Sequence, residues 1–300
     1  MTRLRRAVHF VPGANEKMLN KSLALEADTL VLDLEDAVTP DNKDAARETV
    51  TDWLRHVDFG RQERMVRMNP LDTPWGVTDL EVTMHGRPDS YLVPKVRTRD
   101  DVLKIHTIIS RMEKEYGYPQ GEVKLVVLAT ETPEGLLNIK DFGSCPRVDA
   151  LSWGAEDLSA AIGARRNRAE DGSFLEVFRY ARIMTLLAAT AAGVQPLDTV
   201  FVDIRDSAGL RQECVEGAWM GFTGKITIHP NQVGVVNEVF TPSAEEVAES
   251  QELLAAFEEN QKAGKMAFSF KGQMVDVPHL TRARTILERA RQAGLAEAER

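Results

Sequence analysis

Cysteine is scarce in this chain: only Cys145 and Cys214 occur, far apart and in no CxxC pattern. That excludes a disulfide framework and a zinc-finger ligand spacing, and both residues read as buried thiols packing as small hydrophobes. Long apolar runs are missing as well. None reaches the roughly 18 residues of a membrane span, and the first ten residues lead straight into a strand pattern, with no signal-peptide core. The expectation is a soluble, cytoplasmic protein with no membrane partner. Positive charge is in deficit, with 37 Lys and Arg against 46 Asp and Glu and a formal net charge of −9. The balance argues against nucleic acid as a partner while allowing a small anion in a locally basic pocket.

Several chemical signatures are absent too. A dinucleotide-binding sheet would bring a Gly-rich first turn, and here that turn reads Phe10-Val11-Pro12-Gly13-Ala14-Asn15. The stretch Gly221–Pro230 is P-loop-like only on the surface, because its glycine spacing is wrong and Ile226 stands where Ser or Thr is required. The six histidines form no triad or metal-spacing cluster. His229, before Pro230 at a strand end, reads either as a general base or as a hydrogen-bonded wall residue.

What is present is a regular alternation of short β-rich runs with longer helical patterns, in a chain of 300 residues that is 43% hydrophobic. Strands are expected at Arg6–Val11, Thr29–Leu34, Arg64–Met68, Ser90–Lys95, Val123–Thr130, Ala150–Trp153, Thr199–Val202 and Gly224–Ile228. Helices are expected at Glu16–Glu26, Lys43–Arg55, Arg99–Glu115, Phe174–Ala192 and Ser207–Met220. Eight βα repeats predict an α/β protein, a TIM (β/α)8 barrel occupying residues 1–242. Past Thr241-Pro242 the pattern changes: Ser243 and Glu246 form a capping box for an amphipathic helix carrying Val247, Leu253, Leu254 and Phe257. A β-like segment, Ala267–Asp276, and a charged helix from Pro278 follow. Residues 243–300 therefore read as a C-terminal helical and β-hairpin extension that pads the barrel or covers its mouth, with an Ala/Glu/Arg-rich end fraying into solvent.

Catalytic groups of such barrels sit where strands end. Glu131 closes the fifth apolar run, with Thr132 and Pro133 as N-cap and first residue of the next helix. Glu156 and Asp157 follow the sixth through Gly154. Two carboxylates on adjacent strand ends suit a hard divalent ion; equally, Glu131 caps a helix or pairs with an arginine, and Asp157 is itself an N-cap. Glu35 and Asp36, in Asp33-Leu34-Glu35-Asp36, either hold metal-bound water or are solvated loop charge. Arg67 ends the third run, where it could grip a carboxylate or stabilise an enolate, or form a structural salt bridge.

Taken together, Phe10-Val11-Pro12-Gly13, Leu32–Val38, Arg67-Met68-Asn69-Pro70, Pro94-Lys95, Glu131-Thr132, Gly154–Leu158, Gly221–Pro230 and Gly272–Pro278 occur in one order over almost the whole chain. In these motifs the chain resembles the citrate lyase β-subunit-like, HpcH/HpaI aldolase family of acyl-CoA lyases, which includes malyl-CoA and citramalyl-CoA lyases. The resemblance implies a TIM barrel holding Mg2+, with Mn2+ as a substitute, through Glu131 and Asp157, and with Arg67 facing the thioester. It assigns Phe10, Val11, Lys21, Arg67, Glu131, Glu156 and Asp157 to substrate or CoA contacts. Asn15 falls where some relatives carry arginine. Asp276 matches an acid that relatives extend into a neighbouring subunit's site, implying a homo-oligomer, a trimer or hexamer. The segments Gly135–Asn138, Phe201–Leu210 and Lys265–Gly272 look nearest to citramalyl-CoA lyases, implying cleavage of (S)-citramalyl-CoA to acetyl-CoA and pyruvate. Alternatives on the same resemblance are L-malyl-CoA or β-methylmalyl-CoA cleavage, malyl-CoA thioester hydrolysis, malate synthesis, and a citrate lyase β-subunit role.

Overall fold

The computed structural model describes residues 3–295; the last part of the frayed end expected at the C-terminus, 296–300, lies outside them. Eight parallel strands close into a barrel in chain order: β1 Ala7–Pro12, β2 Thr29–Asp33, β3 Glu63–Arg67, β4 Ser90–Val93, β5 Lys124–Leu128, β6 Val148–Ser152, β7 Gln195–Asp198 and β8 Gly224–Thr227. The helices are α1 Glu16–Ser22, α2 Lys43–His56, α3 Gly76–Thr83, α4 Arg99–Tyr116, α5 Pro133–Asn138, α6 Ala155–Ala161, α7 Glu176–Ala192, α8 Ser207–Met220, α9 Pro230–Phe240, α10 Ala244–Lys262 and α11 Val277–Gln292. The fold is a TIM barrel, as the alternation predicts. No described helix is long and apolar enough to cross a membrane.

One strand lies elsewhere than expected. Thr199–Val202 is the more β-prone run by composition, yet the strand is Gln195–Asp198, immediately before it. Barrel register decides the matter: Leu151 pairs with Pro196 on one side, and Leu197 and Asp198 pair with Gly224 and Lys225 on the other. Leu197 thereby enters the barrel core, whereas Val202 is left about half exposed. Propensity yields here to burial between two neighbours.

The barrel is filled by Val8, Val31, Met65, Leu92, Val126, Leu128, Ala150, Leu197 and Ile226, one or two from each strand. Side chains on a strand alternate faces, so residues two positions away from these share the interior. At the N-terminal end this places Thr29, Glu63 and Ser90 inside. There the fully buried Arg5 grips Glu63 through two 2.7 Å bonds, while the Thr29 and Ser90 hydroxyls donate to the same carboxylate. This charged plug closes the floor, and the opposite end carries the chemistry.

Two compact units are distinguished, Arg5–Asn237 and a second that joins the few residues before Arg5 to the chain from Glu238 onward. In the second, the Ser243 hydroxyl and Glu246 carboxylate cap α10 reciprocally, as the S-x-x-E spacing predicts. Strands Phe268–Phe270 and Gln273–Val275 form a hairpin around Lys271 and Gly272, whose φ of 48° and 81° suit a type I′ turn. Leu253, Phe257, Phe268, Val275, Leu280 and Ala283 make the core of this unit.

Candidate active site

Two residues beyond Val8, Val31 and Met65 lie Phe10, Asp33 and Arg67, so strand parity puts these three at the C-terminal mouth of the barrel. Arg67 Nε and Nη2 donate to the two Asp33 oxygens at 2.7 Å each, a planar fork on a carboxylate. Its Nη1 lies 2.8 Å from Glu35, and the guanidinium stacks 4.6 Å over the Phe10 ring. These contacts engage three of the five guanidinium N–H donors and hold the side chain between Asp33, Glu35 and Phe10. Asp33 also accepts from the backbone N–H groups of Glu35 and Ala37, so one carboxylate fixes both the arginine and the loop after β2.

Lys95, just past β4, meets this cluster from the other side. Its Nζ lies 2.6 Å from Glu35, 3.6 Å from Asp36 and 3.5 Å from Asp157. Burial works against its charge, but the hydrogen bond and charge of Glu35 outweigh it and hold the ammonium well above the usual lysine range. Glu35 is buried and Asp36 exposed, so the two are not equivalent. Desolvation raises the Glu35 carboxyl despite Arg67 and Lys95. Its Oε2 is a buried oxygen without a hydrogen bond of good geometry.

Glu131 follows β5 and is 4% exposed. The Lys95 backbone N–H donates to it at 2.7 Å. Burial, then the charges of Asp157 and Glu35, push its carboxyl well above the carboxylate range. Thr132 is the N-cap, accepting from Gly135 N–H at 2.9 Å, with Pro133 opening α5. Glu131 therefore does not cap the helix. Gly154 allows this carboxylate its place: a Cβ there would lie 2.6 Å from Glu131 Cγ. Gly154, not Asp157, is the N-cap of α6, and Glu156 and Asp157 occupy its first turn. Asp157 faces Lys95, whereas Glu156 is exposed and accepts from Asn167 at 2.7 Å.

The mouth thus gathers Asp33, Glu35, Asp36, Glu131 and Asp157 against Arg67 and Lys95. Such an excess of carboxylate, with one member desolvated between two others, is what a hard divalent cation relieves. Among the described residues no group of three or more His, Cys, Asp or Glu could cage a metal. A pair, Glu131 and Asp157, fits magnesium, which takes one or two carboxylates and keeps waters and substrate oxygens.

Other expected residues are spread out. Val11 is buried in β1, and Lys21 is exposed in the last turn of α1. Asn15 caps α1 by accepting from Met18 N–H. His229 takes part in the turn opening α9, where its Nδ1 accepts from Asn231 N–H at 3.3 Å. Asp276 caps α11, half exposed, with its carboxylate 2.7 Å from His279 Nδ1. Asp33 and Lys95 have no separate role in the sequence reading. The signals were there, in a carboxylate ending β2 and a lysine after Pro94, but partnership across strands needs the closed barrel.

The profile described as HpcH/HpaI aldolase/citrate lyase matches residues 6–230. The mitochondrial citramalyl-CoA lyase of Homo sapiens is 39% identical over 298 residues, 93% of this chain and 83% of that protein. The citrate lyase subunit beta of Escherichia coli K12 is 37% identical over 297 residues, 99% of this chain and 96% of its own. A crystal structure of CitE from Mycobacterium tuberculosis, in complex with magnesium, acetoacetate and coenzyme A, superimposes with a TM-score of 0.79 at 33% identity. The match covers 96% of this chain and 98% of that one.

Proposed function

The chain belongs to the HpcH/HpaI aldolase/citrate lyase family, and from that premise we propose that it is a magnesium-dependent carbon–carbon lyase cleaving (S)-citramalyl-CoA to acetyl-CoA and pyruvate. The observation that carries this reading is the carboxylate-rich mouth, where buried Glu131 lies near a guanidinium locked by Asp33 and the partly exposed Asp157 faces Lys95. Likeness to the citramalyl-CoA lyases and citrate lyase β-subunits supports the thioester substrate, and CitE supports magnesium and CoA.

Cleavage of a β-hydroxyacyl thioester must pass the hydroxyl proton to a base as that oxygen becomes the ketone of the keto acid, stabilise the enolate of the departing acetyl group and protonate its carbon. Glu131 and Asp157 would hold the magnesium ion, whose charge polarises the acyl group's oxygens. Arg67 offers its remaining N–H donors to the thioester oxygen as enolate charge develops. It needs no reorientation, because Asp33, Glu35 and Phe10 fix it beforehand. Family likeness assigns Phe10, Val11, Lys21 and Glu156 to CoA or substrate contacts: Phe10 is at the mouth, Val11 is buried beside it in β1, and Lys21 and Glu156 are exposed. Asp276, reaching from a neighbouring copy in a trimer or hexamer, supplies the proton to the acetyl carbon; in condensation it is the base. A cytoplasmic location and a barrel domain of 1–242 with a lid of 243–300 complete the reading.

The test is turnover of citramalyl-CoA, malyl-CoA and citryl-CoA by the purified chain, with Mg2+ and with chelator. Acetyl-CoA and pyruvate from citramalyl-CoA are expected. Free CoA in place of acetyl-CoA would replace the lyase by a thioesterase, and full activity in excess chelator would remove the metal.

A further inference from the structure

Lys95 adopts φ of 53°, the left-handed region in which a side chain meets its own backbone. For an L-residue other than glycine, Asn or Asp this is uncommon and strained. A strand-end turn of this shape would ordinarily be left to glycine. The conformation lets one residue serve the mouth twice. Its backbone N–H lies on Glu131 at 2.7 Å, and its ammonium reaches Glu35, Asp36 and Asp157. Lys95 is thus bonded directly to one carboxylate assigned to the metal and ion-paired with the other.

Arg67 is committed to Asp33 and Glu35, both on the β2 side of the mouth. The ammonium of Lys95 is therefore the fixed cation nearest Asp157 among the ion pairs of the described residues. Two cations on one carboxylate compete for it and repel one another, the more so where the site is partly buried.

We infer that Lys95 is a tethered counter-cation of the metal site, whose ammonium competes with the divalent ion for Asp157 and thereby sets how weakly that ion is held. The inference rests on the assignment of Glu131 and Asp157 as metal ligands. In the metal-free protein the lysine keeps the crowded carboxylates together. When the ion binds, the ammonium withdraws from Asp157 and remains on Glu35 and Asp36, at the side from which a substrate carboxylate can accept from it. The site then favours the ion most when the anionic substrate accompanies it.

The experiment is Mn2+ binding, followed by loss of the free-ion EPR signal, to the wild-type chain, Lys95→Met, Lys95→Arg and Asp157→Ala. Lys95→Met should bind Mn2+ about tenfold more tightly, equivalent to ~1.4 kcal/mol. Lys95→Arg should stay within about threefold of the wild type, because the charge is retained. Unchanged or weaker binding by Lys95→Met, with binding still lost in Asp157→Ala, would overturn the role of Lys95 alone. Wild-type binding indifferent to Asp157→Ala would overturn the ligand assignment and this inference with it. A second measurement uses the wild-type chain and so needs no variant to fold: acetic anhydride labelling read by peptide mass spectrometry. Lys95 should be labelled faster with Mn2+ than without, and equal rates would refute the competition.

Discussion

Replacing Asp33 with alanine removes the partner that holds Arg67. Asp33 is 2% and Arg67 9% exposed, and two N–O distances of 2.7 Å join them, so the pair is buried and bidentate. Unit charges about 4 Å apart at an effective dielectric near 20 attract by about 4 kcal/mol. Breaking a buried pair from one side costs about 3–5 kcal/mol, since a charge is left behind. Glu35, 2.8 Å from the same guanidinium, retains part of the attraction and puts the expectation at the lower end of that range, about 3 kcal/mol. Equilibrium urea unfolding of Asp33→Ala, Arg67→Met and the double variant gives the coupling directly. The double variant should lose clearly less than the sum of the single ones. In the same preparations kcat of Asp33→Ala should fall by about two orders of magnitude, because the arginine is no longer fixed before the substrate arrives. A stability loss below about 1 kcal/mol would refute the claim that Asp33 holds Arg67.

Gly154→Ala places a Cβ 2.6 Å from Glu131 Cγ and should lower kcat about a hundredfold with the far-UV dichroism unchanged; wild-type kcat would show that Glu131 can move freely. Burial and the neighbouring His229 depress His9 to about 4 from an ordinary 6.5, so the unfolded chain takes up the proton first. Stability is therefore complete above 6.5 and is lost as pH falls toward 4, by up to about 3 kcal/mol, and His9→Gln should flatten this window in unfolding measured from pH 7.5 to 4.5. Asp276→Asn and Glu131→Ala should each be inactive. Co-expressed in equal amounts, they should recover activity in about a quarter of the sites of a cyclic oligomer, and no recovery despite verified mixing would place Asp276 outside the neighbour's site.

The βα alternation and the apolar periodicity of the strands determined the barrel, because each strand buried on both faces must be short, apolar and followed by a crossover. Thr132-Pro133 and Ser243 with Glu246 fixed their helix starts outright, since capping depends on groups three residues apart. Glu131 and Arg67 were legible as polar residues closing apolar runs, and Asp157 as a carboxylate just past the next one, in what the structure shows to be the first turn of α6. Tertiary structure decided the rest. It placed β7 at Gln195–Asp198, where pairing on both sides outweighs composition. It also assigned partners: Asp33 to Arg67 from the neighbouring strand, and Lys95 to carboxylates arising from β2, β5 and β6. Sequence separation carries no information about such pairs, because closure of the barrel sets which strand ends face one another across the mouth.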